Sequence, residues 1–195
     1  LDTSFYTPCL RCEPFILAMD RPEERERLSA FLRRPVRAIA DVSAAIDQAF
    51  RRFAAHGMGY AAASLPPNLI TFDVADEVAE RLLARLVQGG DWSPQERGVW
   101  AAWAANRIAD QCRTHGRPFH LMIGVNREVY AQGVPSGRDL FDAVNSMRGY
   151  DYLFNAYPDV RFPTAVLADT TGLELTASAW IRHNVYPSGH WWYAN

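Results

Sequence analysis

Apolar positions along this chain come in two rhythms. Short, nearly continuous runs occupy residues 13–19 (EPFILAM), 58–64 (MGYAAAS), 118–124 (PFHLMIG), 162–168 (FPTAVLA) and 184–189 (NVYPSG). Dense apolar runs of this length predict strands buried on both faces. Between them the apolar residues recur at helical spacing. Asp20, Pro22 and Glu23 carry the signature of a helix start, and that helix is expected to run to about Arg33. Val42, Ile46, Ala49, Phe50 and Phe53 share one face of a second helix, stopped by Gly57. Val74, Val78, Leu82 and Leu86 mark a third, ended by Gly89 and Gly90. The SPQE motif at 93–96 is a capping box with proline at the first helical position. It predicts a long helix to about Thr114, with Trp100 and Trp103 as core and Gly116 closing it. A loop over 126–138, a helix to about Tyr157 and a helix over 173–183 complete the pattern.

Strands that alternate with helices define an α/β protein with a parallel sheet. Two architectures fit, an open doubly wound sheet or a (β/α) barrel. No GxGxxG and no GxxxxGK[ST] occurs, which weakens the nucleotide-binding open sheets. Either architecture puts functional groups at the C-terminal ends of strands. Here those ends are Met19-Asp20, Ser64, Gly124 to Arg127, Ala168-Asp169 and Ser188 to Trp192.

Composition narrows the classes. The 195 residues fit one domain, and 49% hydrophobic content supports a real core. The net charge of −2 comes with no basic block, so no nucleic-acid partner is expected. No run of about 18 apolar residues occurs, so no membrane partner is expected either. A cytoplasmic protein is the resulting expectation. Cys9, Cys12 and Cys112 make an odd count, and the lone Cys9-x-x-Cys12 lacks the second pair a zinc site needs. The chain contains no lysine; all twenty basic residues are arginine. Schiff-base and P-loop lysine chemistry is thereby excluded for these residues.

Among the histidines, His56, His115 and His183 sit at helix ends, where they complement the helix dipole. His120 lies inside a strand, on the face of Met122 and Gly124, as a metal ligand or a hydrogen-bonded core residue. His190 follows a strand end beside Trp191, in position for a substrate contact. Arg127 follows another strand end, where its planar fork suits a carboxylate or pairs with Glu128. Asp20 is either a helix cap or a polar group at a strand end, and Asp169 has the same two readings.

The stretches FHLMIGVNR (119–127) and SGHWWYAN (188–195) resemble the uronate isomerase family of the amidohydrolase superfamily. Members carry a QLHIGALRNN-like strand end and a later GxxWWFxD-like segment. EPFILAMD sits where the family has a strand ending in Arg-Pro-Asp, and FRRFAAHGMGYAAASL resembles the stretch leading to its Ser-Asp-His-Gly. The resemblance implies a (β/α)8 TIM-type barrel of the metal-dependent hydrolase kind with about five strands represented. The chain would be a single partial barrel domain over 1–195, with a helical insertion around 73–115. The implied reaction interconverts an aldose and a ketose sugar acid, glucuronate with fructuronate. The implied cofactor is a divalent metal, zinc by expectation, with its main ligands outside this chain; His120, two residues before the position of the family's strand histidine and on the same face, would substitute as a ligand within it. Arg127 and Asp20 would be catalytic, and Arg127, Trp191, Trp192 and His190 would contact the substrate.

The partner would be a small-molecule sugar acid, with a homo-oligomer compatible. The chain departs from the family where Met122 replaces the strand histidine, Ala18 the arginine of Arg-Pro-Asp, and Ala-Ala-Ser-Leu the Ser-Asp-His-Gly site. Two other readings stand beside this one: a diverged amidohydrolase-type hydrolase or decarboxylase, and a non-catalytic sugar-acid-binding pseudo-enzyme. The Trp pair near the last residue further suggests an internal portion of a longer barrel.

Overall fold

Five of the strands line up in one parallel sheet in the order in which the chain makes them. The computed structural model describes residues 5–126, 129, 132, 140–141 and 145–189. The chain runs β1 (Cys9–Arg11), α1 (Glu13–Leu17), α2 (Pro22–Leu32), α3 (Ile39–Ala54), β2 (Tyr60–Leu65), α4 (Asp76–Val87), α5 (Pro94–Thr114) and β3 (Phe119–Ile123). It continues with β4 (Val125–Asn126), β5 (Leu140–Phe141), a 3₁₀ turn (Met147–Tyr150), α6 (Asp151–Ala156), β6 (Phe162–Val166), α7 (Asp169–Ser178) and β7 (Val185–Pro187). The sheet order is β1-β2-β3-β6-β7, with every neighbouring pair parallel. β4 and β5 form a separate antiparallel pair.

This order separates the two candidate architectures. A doubly wound sheet reverses direction at a switch point and carries helices on both faces. Here each strand adds to the same side, as in the wall of a barrel, and one face takes the helices. Leu10, Ala61, Ala63, Leu65, Phe119, Leu121, Ile123 and Phe162 all join the main core with α3, α4 and α5 residues. On the other face, among the described residues, Ala62, Met122 and Ala165 cluster, with Cys9 against them. Among the described residues the helical face is packed and the other is open.

α5 is the pillar of the packed face. Ser93 Oγ accepts from Glu96 N–H (3.3 Å), and Glu96 Oε2 accepts from Ser93 N–H (2.8 Å), the reciprocal pair that SPQE predicts. Ala101, Ala102, Ala104, Ala105 and Ala109 are all buried, so the helix approaches its neighbours on several sides. Trp100 stacks obliquely between Trp92 and Trp103, with ring centroids 5.0 and 4.8 Å away. Each indole N–H is satisfied: Trp92 donates to Leu82 O, Trp100 to Phe15 O and Trp103 to Asp76 Oδ1.

Several expected elements are corrected. Residues 13–19 are not a strand; α1 occupies Glu13–Leu17, and the strand that pairs with β2 is Cys9–Arg11. A short apolar run looks the same to a sequence whether a strand or a helix buries it, and Pro14 fits a helix's first turn better than a sheet interior. Asp20 therefore does not end a strand. It does not cap α2 either, whose N-cap is Arg21. The expected helix before Tyr157 is shorter, a 3₁₀ turn and then α6, and residues 140–141 pair as a strand instead. α7 starts and ends earlier than 173–183, which leaves His183 in the turn that follows.

Candidate functional site

Parallel register places facing residues side by side on the open face. Cys9 pairs with Tyr60 in one layer, and Arg11, Ala62 and His120 form the next. Ser64, Met122 and Ala165 form the layer nearest the strands' C-terminal ends. A cavity of about 200 Å³ opens on this face and spans all three layers, lined by Cys9, Arg11, Tyr60, Ala62, His120, Met122, Ala165 and Gly189. Gly189 comes from just beyond β7, at the far end of the sheet from β1. The cavity is thus lined from both edge strands of the sheet.

The polar centre of this face is Arg11. Its Nε donates to both oxygens of Glu13, at 3.1 Å each, and its Nη2 also meets Glu13 Oε1. Nη2 donates as well to Ser64 Oγ at 3.2 Å. Glu13 Oε1 further accepts the Ser64 backbone N–H at 2.8 Å. Glu13 is the first residue of α1, so its carboxylate stands where the helix dipole favours negative charge. One carboxylate thus ties the end of β1 to β2 and fixes the guanidinium in one orientation. Among the described residues, Arg11 Nη1 has no hydrogen-bond acceptor.

Burial works to raise the Glu13 carboxyl, but the bonds from Arg11 and Ser64 outweigh it and hold it below its ordinary value. Such a group contributes stability above its unfolded pKa and loses it as pH falls through the lower, folded value. The melting-temperature gap between the wild type and Glu13→Gln should therefore be widest near neutrality and close below about pH 4.5. Melts from pH 7 to pH 3 check this; a gap that stays constant is the contrary result.

His120 faces the same cavity, as strand alternation predicted. Its Nε2 is buried and has no hydrogen-bond partner among the described residues, and its ring meets Tyr60 edge-on at 5.7 Å. Burial, with Arg11 adding to it, lowers the imidazole pKa, so the ring is neutral at pH 7. Cys9 and Tyr60 share a side-chain hydrogen bond, and burial pushes the Cys9 thiol up against the pull of Arg11. Neither group is an activated nucleophile.

A larger cavity, of about 770 Å³, lies elsewhere, between α1, the loop after β2 and the start of α5. Asp20 lines it, but its Oδ2 accepts from Arg97 Nε at 2.6 Å. Ile16, Leu69, Ile70, Phe72 and Trp92 make most of its wall apolar. The open face is the stronger site despite its smaller volume, because its arginine keeps donors to spare.

Of the residues picked out by sequence, His120 lies in the open-face cavity and Asp20 lies outside it. Arg127, His190, Trp191 and Trp192 fall outside the described residues. Arg11, Glu13 and Ser64 were missed. The signal was present: β1 ends at Arg11, and Cys12-Glu13 follows into α1, which puts an arginine and an acid two apart, as in Arg-Pro-Asp. Misplacing the strand moved that motif onto Ala18 and Asp20. At the end of β3, Gly124 adopts φ +108°, and a Cβ there would meet Asn145 Nδ2 at 3.1 Å. Asn145 Nδ2 is itself buried, with no hydrogen-bond partner among the described residues. Among the described residues, no three His, Cys, Asp or Glu side chains are grouped to hold a metal ion. His120 could offer one ligand only, so the described residues by themselves do not fit a metal site.

The arrangement defines a class: an arc of a (β/α) barrel whose concave side carries an oriented arginine at the end of its first strand, level with Ala62 and His120. Solved structures contain that arc. The chain matches uronate isomerase from Thermotoga maritima over 95% of its length, with a TM-score of 0.86 and 18% identity, and covers 43% of that chain. Glucuronate isomerase from Caulobacter crescentus matches over 94%, at TM-score 0.79 and 18% identity, with 40% of its chain covered. A uronate isomerase from Bacillus halodurans C-125 matches over 96%, at TM-score 0.68 and 19% identity, with 38% covered. At such identity the likeness establishes the shared fold, and the chain spans about two fifths of each of these proteins. No family model and no curated protein matches it. No helix among the described residues is long and apolar enough to cross a membrane.

Proposed function

We propose that this chain is the substrate-holding arc of an isomerase that interconverts an aldose and a ketose sugar acid of the glucuronate and fructuronate type. The observation that carries this reading is the likeness to uronate isomerase over 95% of the chain at TM-score 0.86. The open face adds chemical support. A sugar acid needs a cation for its carboxylate, and Arg11 stands at a strand's C-terminal end with Nη1 uncommitted among the described residues. Ser64 and the neutral His120 are beside it for hydroxyl groups. The reaction moves a proton between neighbouring carbons, and a divalent metal, zinc by resemblance, would polarise the substrate's oxygens. Its main ligands are expected outside this chain. The compartment is expected to be the cytoplasm, and self-association into a homo-oligomer remains compatible.

A second reading, a sugar-acid-binding module without turnover, is favoured by one observation. Met122 faces the cavity in the layer nearest the strand ends, where the resembling family has histidine. Binding of glucuronate and glucose to the chain, followed by calorimetry or NMR, tests the common element. Arg11→Met should weaken glucuronate by about 10- to 100-fold, the loss of a charge-assisted pair, and leave glucose nearly unchanged. Equal weakening of both would defeat the assignment. Arg127→Met in the same assay decides between the two arginines. NMR detection of fructuronate from glucuronate then separates the enzyme from the binder.

A further inference from the structure

The geometry points to Glu13 as the residue that sets which anions this face accepts: singly charged carboxylates, and not dianionic phosphates. The inference rests on the reading that Arg11 takes the substrate's carboxylate. Glu13 does two things to that arginine. It occupies the Nε edge through both carboxylate oxygens and, with Ser64 Oγ, part of Nη2. A ligand is left the Nη1 side, enough for one carboxylate but short of the several donors that a phosphate's oxygens need.

Glu13 also cancels the charge. Among the described residues lining this face, Arg11 is the cation and Glu13, which holds it, the anion. The neighbours Cys9, Tyr60, Ser64 and His120 are neutral at pH 7. The cluster's charge sums to zero, so long-range attraction gives a dianion no advantage. At close range the Glu13 carboxylate repels a doubly charged ligand about twice as strongly as a singly charged one. Glu13 is only about one-fifth exposed, so solvent screens it incompletely. Phosphate sites in proteins are built the opposite way, with excess positive charge or a helix N-terminus left free. Here the N-terminus of α1 is already taken by Glu13's own carboxylate.

The test measures dissociation constants of the wild type, Glu13→Gln and Glu13→Asp for glucuronate, glucose and glucose 6-phosphate. Removing the carboxylate changes the dianion's energy by one more charge–charge interaction than the monoanion's. The preference for glucuronate over glucose 6-phosphate should then fall by about tenfold in Glu13→Gln. Glu13→Asp, which keeps the charge, should stay near the wild type. A merely structural role for Glu13 would weaken all three ligands together. If the wild type prefers glucuronate to glucose but Glu13→Gln keeps the wild-type preference over glucose 6-phosphate, the inference is overturned and the Arg11 reading stands. If the wild type does not distinguish glucuronate from glucose, the Arg11 reading fails and takes the inference with it. Should Glu13→Gln fail to fold, the wild type alone decides. Tighter binding of glucose 6-phosphate than of glucuronate would overturn the proposal.

Discussion

Trp100→Ala should cost about 3–5 kcal/mol of stability, the largest loss expected from any single truncation in α5. The side chain is 1% exposed and lies between two other indoles. Its N–H donates to Phe15 O at 2.9 Å, pinning α1 against α5. Truncation opens a cavity bordered by rings that cannot collapse into it and leaves the Phe15 carbonyl buried without that donor. For a chain of this size the melting temperature should fall by about 6–20 °C. Trp100→Phe keeps most of the volume and loses the hydrogen bond, so it should cost distinctly less. Thermal or urea denaturation measures both. Equal losses would mean that the ring's volume contributes little. The consequence reaches the site, because α1 begins with Glu13, and loosening α1 frees the guanidinium that Glu13 holds.

Phe162→Ala should have a similar cost, about 3–5 kcal/mol, at the other end of the sheet. Phe162 opens β6 and is fully buried. Its ring packs on Phe154 of α6 at 5.2 Å and on Phe119 of β3 at 6.3 Å. Its backbone N–H donates to Asn184 O at 2.7 Å, immediately before β7. Removing the ring should loosen α6 and the β6–β7 pairing first, so amide exchange should rise in β7 more than in β2. Gly189, just beyond β7, lines the open-face cavity, so under the proposed function sugar-acid binding should weaken along with stability. If denaturation shows a loss below about 1 kcal/mol, the β6 end is less tightly packed than its burial implies.

Legibility in the sequence followed the locality of each signal. The SPQE capping box, the amphipathic stripe of Val42, Ile46 and Phe50, and the strand at Phe119–Ile123 are each encoded within a few residues, and each is where the pattern puts it. The run at 13–19 shows the limit. Continuous apolarity says that a segment is buried, not how its backbone finds hydrogen bonds. Ile16 and Phe15 are buried as expected, but against α5 and not between strands. The actual first strand, Cys9–Arg11, is three residues long and is half polar in appearance, too short for any periodicity.

The site was less legible than the fold. His120 was placed on the correct face by alternation alone. Arg11, Glu13 and Ser64 could not be grouped that way, because Ser64 lies 53 positions from Arg11 and only the parallel register brings them together. Asp20 looked chemical because it followed an apolar run, yet the fold gives it to Arg97, 77 positions away.

By itself the sequence determined what short-range physics can write: the alternation of strands and helices, their caps and stops, the buried tryptophans, and a lysine-free set of cations. Among the described residues, the tertiary structure alone decided which face the helices left open, which strand came first, and that Arg11 meets Glu13 and Ser64 beside that face. The reason is that pairing register and charge partnership act between residues far apart in the chain, and nothing in the local pattern encodes who will meet whom.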